Sequence, residues 1–326
     1  MKRTIVVAVI LFLARSTSSA QQVDIGAPPG RLIDLGGRKL HFNCTGSGSP
    51  TVILEAGASS FALDWSLVQP EIAHTNRVCS YDRAGSGWSD FRAEVETPAR
   101  VVWDLHAVLD SAGEKPPFVM VGASFGAIYV RTYQLDFPDE VAGFVFVDPA
   151  TEDRLFTSFN QEVVTISSLT ADQLRSTLPV TGYVPLPRRP PQTGAPFDRL
   201  PRHLYQLRIK LDQRLIASFP SSVSADIVRE YQEGQRAGLA RLLESRAKQP
   251  QPIGDRPLVV LTRGQEMTPG IAENHAGLAR LSTNSRHTVV PEAGHEIHLF
   301  VPSAVVQAIQ DVSTASRQGS RLPTRP

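Results

Sequence analysis

Two short runs in this chain, Phe118–Gly122 and Val141–Val147, are apolar at almost every position. A strand with one face in water alternates polar and apolar residues, so an unbroken apolar run of this length reads as a strand buried on both faces. Such strands must be covered above and below, which favours a parallel sheet with crossover helices over a sandwich or a bundle. The flanks agree. Lys39–Cys44, Thr51–Glu55 after the turn Gly46-Ser47-Gly48-Ser49-Pro50, and Arg77–Tyr81 read as further strands. Thr97-Pro98 supplies an N-cap hydroxyl and then a residue with φ preset for the first helical turn. Val101, Val102, Leu105, Val108 and Leu109 then share one helical face, and Gly113 ends it. The alternation resumes with strands at Arg256–Leu261 and Arg286–Val290. A last helix follows Pro302, with Val305, Val306, Ile309 and Val312 on one face.

The middle of the chain reads differently. Thr151 to Pro250 shows no buried strand, a Pro-rich stretch from Pro179 to Pro201, and helical stretches near His203–Phe219 and Ser222–Ala247. Leu204, Leu207, Leu211 and Leu215 fall at helical spacing and read as a core-facing stripe. Ser316–Pro326 has no apolar pattern and is expected to be a mobile tail.

Composition excludes several functional classes. With 41% hydrophobic and 20% charged residues the chain can bury a full core, so global disorder is excluded. Thirty-three basic residues against 32 acidic ones give no surplus with which to bind nucleic acid. Two cysteines are too few for a disulfide-dense scaffold or a four-cysteine zinc site. Lys2-Arg3, the apolar run Thr4–Ala14 and the small residues Ser18-Ser19-Ala20 predict a signal peptide cleaved near Ala20. The run is about half the ~20 residues of a spanning helix, and no cysteine follows it to carry a lipid, so no stable membrane anchor is expected. Cleavage deletes three basic residues, Lys2, Arg3 and Arg15, and no acid. That leaves 30 basic against 32 acidic residues, a net charge of −2 over 306 residues.

Gly122-Ala123-Ser124-Phe125-Gly126 sits where a buried strand meets a helix. A serine there needs a sharp turn, and glycines two before and two after let neighbouring backbone approach closely. The turn lifts Oγ clear of the sheet, beside the positive end of the following helix. Gly57-Ala58-Ser59 and Gly87-Trp88-Ser89 are partial matches that end in Phe61 and Phe91 and lack this setting. A serine nucleophile needs a base. Among eight histidines, His41, His106 and His203 fall inside a strand or helices and read as packed or surface residues. His295, in Pro291-Glu292-Ala293-Gly294-His295, lies between the last strand and the last helix, where a loop can lean over Ser124. His298 could suggest a metal site with His295 and Glu296, but His-Glu-x-x-His spacing is absent, and no metal is expected. Gly46-Ser47-Gly48 leads into a strand and is no dinucleotide fingerprint.

With Tyr81-Asp82-Arg83-Ala84-Gly85 before the serine turn and Gly294-His295 near the end, the chain from about Arg31 to Ser313 resembles the α/β-hydrolase fold family, in its bacterial esterase-like branch. The resemblance implies a mostly parallel eight-stranded sheet with helices on both faces and a helical cap inserted after the sixth strand. The corresponding division is a signal peptide 1–20, a core of 21–150 and 251–315, a cap 151–250 and a tail 316–326. It also implies a triad acid after the sixth or the seventh strand. Asp148 stands at the first place. At the second, Met267 occupies the position where the family often has Asp, with Glu266 one residue before it; Asp148 is preferred and Glu266 is the alternative. The oxyanion hole would use backbone N–H groups of Phe125 and, by resemblance, of Ala58 in the loop after the third strand. In this fold the second and fourth strands are neighbours, which suggests a Cys44–Cys79 disulfide in an exported protein and makes Asn43 a poor glycosylation acceptor. The implied activity is a serine hydrolase, periplasmic or secreted, that acts without a cofactor on a small-molecule ester or related acyl substrate. Acyltransfer, perhydrolysis or amide cleavage on the same triad, or a non-catalytic small-molecule-binding role, are the alternatives. Neither substrate identity nor oligomeric state is legible.

Overall fold

The computed structural model describes residues 23–152, 155–157, 163–165, 183–185, 189–219 and 222–324. The expected signal peptide, 1–20, lies outside them.

Eight strands form one sheet: β1 (Arg31–Asp34), β2 (Lys39–Thr45), β3 (Thr51–Glu55), β4 (Val78–Tyr81), β5 (Phe118–Ala123), β6 (Val141–Val147), β7 (Leu258–Arg263) and β8 (Ser285–Val290). Their spatial order is β1-β2-β4-β3-β5-β6-β7-β8. The pairings β1–β2 and β2–β4 are antiparallel and the remaining five are parallel. Side-chain alternation explains the unbroken apolar runs. In β5, Val119 and Val121 enter one core with Val52, Leu54, Val145 and Val147, while Phe118 and Met120 enter the other with Ile53, Phe144 and Phe146.

Helices cover both faces. Helix α1 (Gln69–Ala73) contributes Ile72 to the Val119/Val121 side. Helices α2 (Pro98–Ala112) and α3 (Gly126–Asp136) bring Val102, Leu105, Val108, Ala127 and Val130 to the Met120 side. Thr97 Oγ1 accepts the Arg100 N–H as the N-cap of α2, and Gly113 ends that helix in the left-handed conformation.

Between β6 and β7 the described residues form two helices, α4 (Arg202–Ser218) and α5 (Ala225–Lys248), and two small sheets. The sheets pair Leu155–Thr157 with Val163–Thr165 and Tyr183–Pro185 with Ser222–Ser224. These three-residue strands, absent from the sequence reading, are too short to carry a detectable period. Leu211 and Leu215 of α4 pack on Phe61, Leu63, Trp88 and Leu299, with Leu204 and Leu207 beside them. The stripe thus faces loops of the main domain. Arg208 of α4 is fully buried, 2.8 Å from Asp64 through Nε, with its guanidinium 3.5 Å from the Phe197 ring. Arg246 of α5 joins Arg131 on the buried carboxylate of Glu152.

Helices α6 (Ile271–Ala279), α7 (Ile297–Phe300) and α8 (Pro302–Gln318) complete the fold. Val305, Ile309 and Val312 of α8 are buried, with Val306 partly so. Helix α8 runs on to Gln318, Leu322 packs against the core, and its N–H donates to Asn284 Oδ1 at 2.9 Å. Asn284 Nδ2 donates to Ser320 O and Arg286 to Pro323 O, at 3.1 and 2.9 Å. Cys44 and Cys79 stand opposite each other in the β2–β4 register and form a disulfide. No described helix is long and apolar enough to cross a membrane.

Candidate active site

Ser124 directly follows β5 with φ +50°, a strained value for a residue with a Cβ. The turn is held because the Ser124 N–H donates to Val147 O at 2.9 Å and its carbonyl accepts from Ala127 and Ala150. Both flanking glycines are required by space. A Cβ at Gly122 would lie 2.7 Å from the Ala127 backbone, and one at Gly126 would lie 2.6 Å from Glu55 O.

His295 follows β8 in a loop anchored by buried Ala293 and Ile297. The loop after β7 braces it, since Gly264 and Gln265 donate backbone N–H groups to Ala293 O. His295 Nε2 lies 2.9 Å from Ser124 Oγ, and Nδ1 lies 2.5 Å from Asp148 Oδ2. Three residues spread over 171 positions therefore form one hydrogen-bonded line. Asp148, just past β6, is 4% exposed and has φ +41°. Its Oδ1 accepts the Arg263 N–H at 3.0 Å. Burial opposes its charged form, but the His295 hydrogen bond and charge, with the Arg263 N–H and guanidinium, outweigh it and hold the carboxyl below the usual aspartate range. Glu266, the alternative acid, is exposed and stands outside this line.

Ala58 is exposed in the loop after β3, and a Cβ on neighbouring Gly57 would lie 3.2 Å from Ser124 Cβ. Phe125 sits at the N-cap of α3. Among the described residues neither the Phe125 nor the Ala58 N–H has an acceptor. His41 is buried with Nδ1 2.7 Å from Asp82 and Nε2 2.6 Å from Pro29 O. His298 is buried against the Trp65 ring, and burial pushes its pKa down to about 3. The described residues that could together hold a metal are Cys44, Cys79 and Glu114, but the two sulfurs are spent on the disulfide.

Two groups went unseen in the sequence. His275 of α6 lies 4.0 Å from Asp148 Oδ1. It bridges Pro149 O through Nε2 and Thr262 Oγ1 through Nδ1, each at 2.8 Å, and Thr262 in turn meets His287 Nε2. Burial lowers the pKa of both histidines. No spacing rule marks this chain. The second group is the Arg83–Glu55 pair, for which the Tyr81–Gly85 motif was a signal without an assigned role.

Comparison with known proteins agrees with this architecture. The chain is 23% identical over 278 residues to YqjL of Bacillus subtilis, covering 84% of this chain and 87% of that one. It is 32% identical over 126 residues to the 2-hydroxymuconate semialdehyde hydrolase of Pseudomonas sp. strain CF600, covering 37% of this chain and 44% of that one. It is 34% identical over 129 residues to the probable transporter efuK of Hormonema carpetanum, covering 37% of this chain but only 18% of that relative's length. Among solved structures, a thermophilic esterase from Thermogutta terrifontis superposes with a TM-score of 0.58 at 19% identity, covering 87% of this chain and 97% of that one, and shares the fold. The family model for the alpha/beta hydrolase fold matches residues 50–302, and the chain belongs to that family.

Proposed function

We propose that this protein is an exported serine hydrolase that cleaves a carboxylic ester or related acyl bond, with 151–250 as a cap over the site. The observation that carries the reading is the Ser124–His295–Asp148 line, with contacts of 2.9 and 2.5 Å. Ser124 Oγ attacks the substrate carbonyl while His295 Nε2 takes its proton. Asp148 keeps the other ring proton on Nδ1 and stabilises the imidazolium without accepting the proton. The Phe125 and Ala58 N–H groups receive the oxyanion. His295 then protonates the departing alcohol, and water activated by the same imidazole clears the acyl-enzyme. An esterase and a 2-hydroxymuconate semialdehyde hydrolase among the similar proteins support acyl or related chemistry, and no resident cofactor enters these steps.

A fluorophosphonate probe tests the nucleophile: the wild type is labelled and Ser124→Ala is not. Equal labelling of both proteins sinks the reading. A panel of p-nitrophenyl esters of rising acyl length then ranks the substrates. A mature N-terminus at Gln21 in the extracytoplasmic fraction tests export, which an uncleaved cytoplasmic chain contradicts.

A further inference from the structure

Arg83, in the middle of Tyr81-Asp82-Arg83-Ala84-Gly85, is 6% exposed and directs its guanidinium at the backbone of another loop. Nη1 donates to Ala56 O at 2.8 Å and Nη2 to Gly57 O at 2.7 Å. Nη1 also meets Glu55 Oε1 at 2.5 Å, and Nε lies 3.4 Å from Glu96 Oε2. Glu55 is fully buried and takes the Tyr81 hydroxyl on its other oxygen. Glu96 is held by the Tyr129 hydroxyl at 2.7 Å, and Tyr129 lies on α3 with its ring 5.1 Å from the guanidinium. The arginine is thus hydrogen-bonded by the Glu55 carboxylate, has the Glu96 charge beside an Nε that makes no hydrogen bond, and is referenced through Tyr129 to the helix that begins beside Ser124.

A trans peptide is planar, with its C=O and N–H pointing in opposite directions. Among the described residues the cis bonds lie elsewhere, before Pro50, Pro117 and Pro196. Turning the Ala56 and Gly57 carbonyls toward Arg83 therefore turns the Gly57 and Ala58 N–H groups away from it, on backbone that runs against Ser124. A fork of parallel N–H donors can set two successive peptide planes at once, and a lysine ammonium cannot.

We propose that Arg83 is the positioning residue of the oxyanion loop, its hold on the Ala56 and Gly57 carbonyls aiming the Ala58 N–H at the charge that develops on the substrate oxygen. This rests on the reading of Ser124 as nucleophile. Donors aimed at an oxyanion contribute only in the transition state, so loosening one lowers kcat and spares KM.

The test compares wild type, Ser124→Ala, Arg83→Gln and Arg83→Lys on p-nitrophenyl butyrate, with phenylboronic acid as a tetrahedral adduct former. Loss of one oxyanion donor costs about 100- to 1,000-fold in kcat, so a loosened donor is expected to cost about 10- to 100-fold. KM stays within about threefold, and boronate affinity falls in parallel with kcat/KM, which a merely structural role would not produce. Arg83→Lys keeps a positive charge beside Glu55 and Glu96, so it reports on the clamp even if Arg83→Gln fails to fold. A folded Arg83→Lys with kcat and boronate affinity within about threefold of wild type, or one impaired through KM alone, overturns the inference. If wild type and Ser124→Ala hydrolyse the ester alike, the nucleophile reading falls and takes the clamp with it. If Ser124→Ala is dead while Arg83→Lys is unimpaired, the clamp alone falls.

Discussion

Asp148→Asn keeps the shape of the side chain and removes its charge. The carboxylate accepts two N–H groups, Arg263 N–H on Oδ1 and His295 Nδ1–H on Oδ2. An amide has one acceptor oxygen. The Arg263 N–H belongs to the end of β7 and cannot turn away, so the amide oxygen goes to it and the NH2 group faces His295. Nδ1 must then accept, which moves the ring proton to Nε2, 2.9 Å from Ser124 Oγ. The base is lost, along with the charge that would stabilise the imidazolium in a site where Asp148 is 4% exposed. The expected loss in kcat is about 10,000-fold, with the residual rate supplied by the oxyanion donors. That corresponds to about 5 kcal/mol of transition-state stabilisation. Glu266→Gln, at an exposed position, is expected to leave kcat within about threefold. The assay is kcat and KM on a short p-nitrophenyl ester for both variants, with a melting curve for each. Retention of more than a tenth of kcat by Asp148→Asn, or a larger loss in Glu266→Gln, refutes the assignment.

The Cys44–Cys79 bond closes a loop of 35 residues, which in the chain-entropy account contributes about 4 kcal/mol. For a chain of this size Cys79→Ser should lower the melting temperature by about 6 °C, as should reduction of the wild type; an unchanged melting temperature in both contradicts this. Glu152 supplies a pH test. Burial opposes its charge, but Arg131 and Arg246 outweigh that and bring its pKa to about 2, against about 4.5 unfolded. A lowered carboxyl stabilises the fold above the unfolded pKa and loses that contribution as pH falls through the folded one. The free energy of unfolding should therefore fall between about pH 4.5 and 2, and it should fall by about 3 kcal/mol less in Glu152→Gln, whose stability is already reduced at pH 7.

What was legible in the sequence follows from how far each signal reaches along the chain. The buried strands and the turn at Ser124 announce themselves within a few residues, because burial on both faces and a tight strand-to-helix junction each restrict neighbouring positions. His295 was recoverable for the same reason, standing in a Gly-containing loop between a strand and a helix. The acid was left between Asp148 and Glu266 because each lies in the loop after a strand, and only the folded direction and burial of the side chains separate them. Arg83 was visible as part of a motif, but its partners Ala56 and Gly57 precede it by more than 25 residues, and no local pattern reports such a contact. The chain from His287 through Thr262 to His275 is spread in the same way over three elements.

The position of the tail bears on thermal stability. Strand β8 is an outer strand of the sheet. Ser320–Pro323 lies across the entry to β8, bonded to Thr283, Asn284 and Arg286. These bonds and the packing of Leu322 tie the segment after α8 to the start of β8, so a protein trimmed after Gln318 is expected to melt at a lower temperature than the full chain.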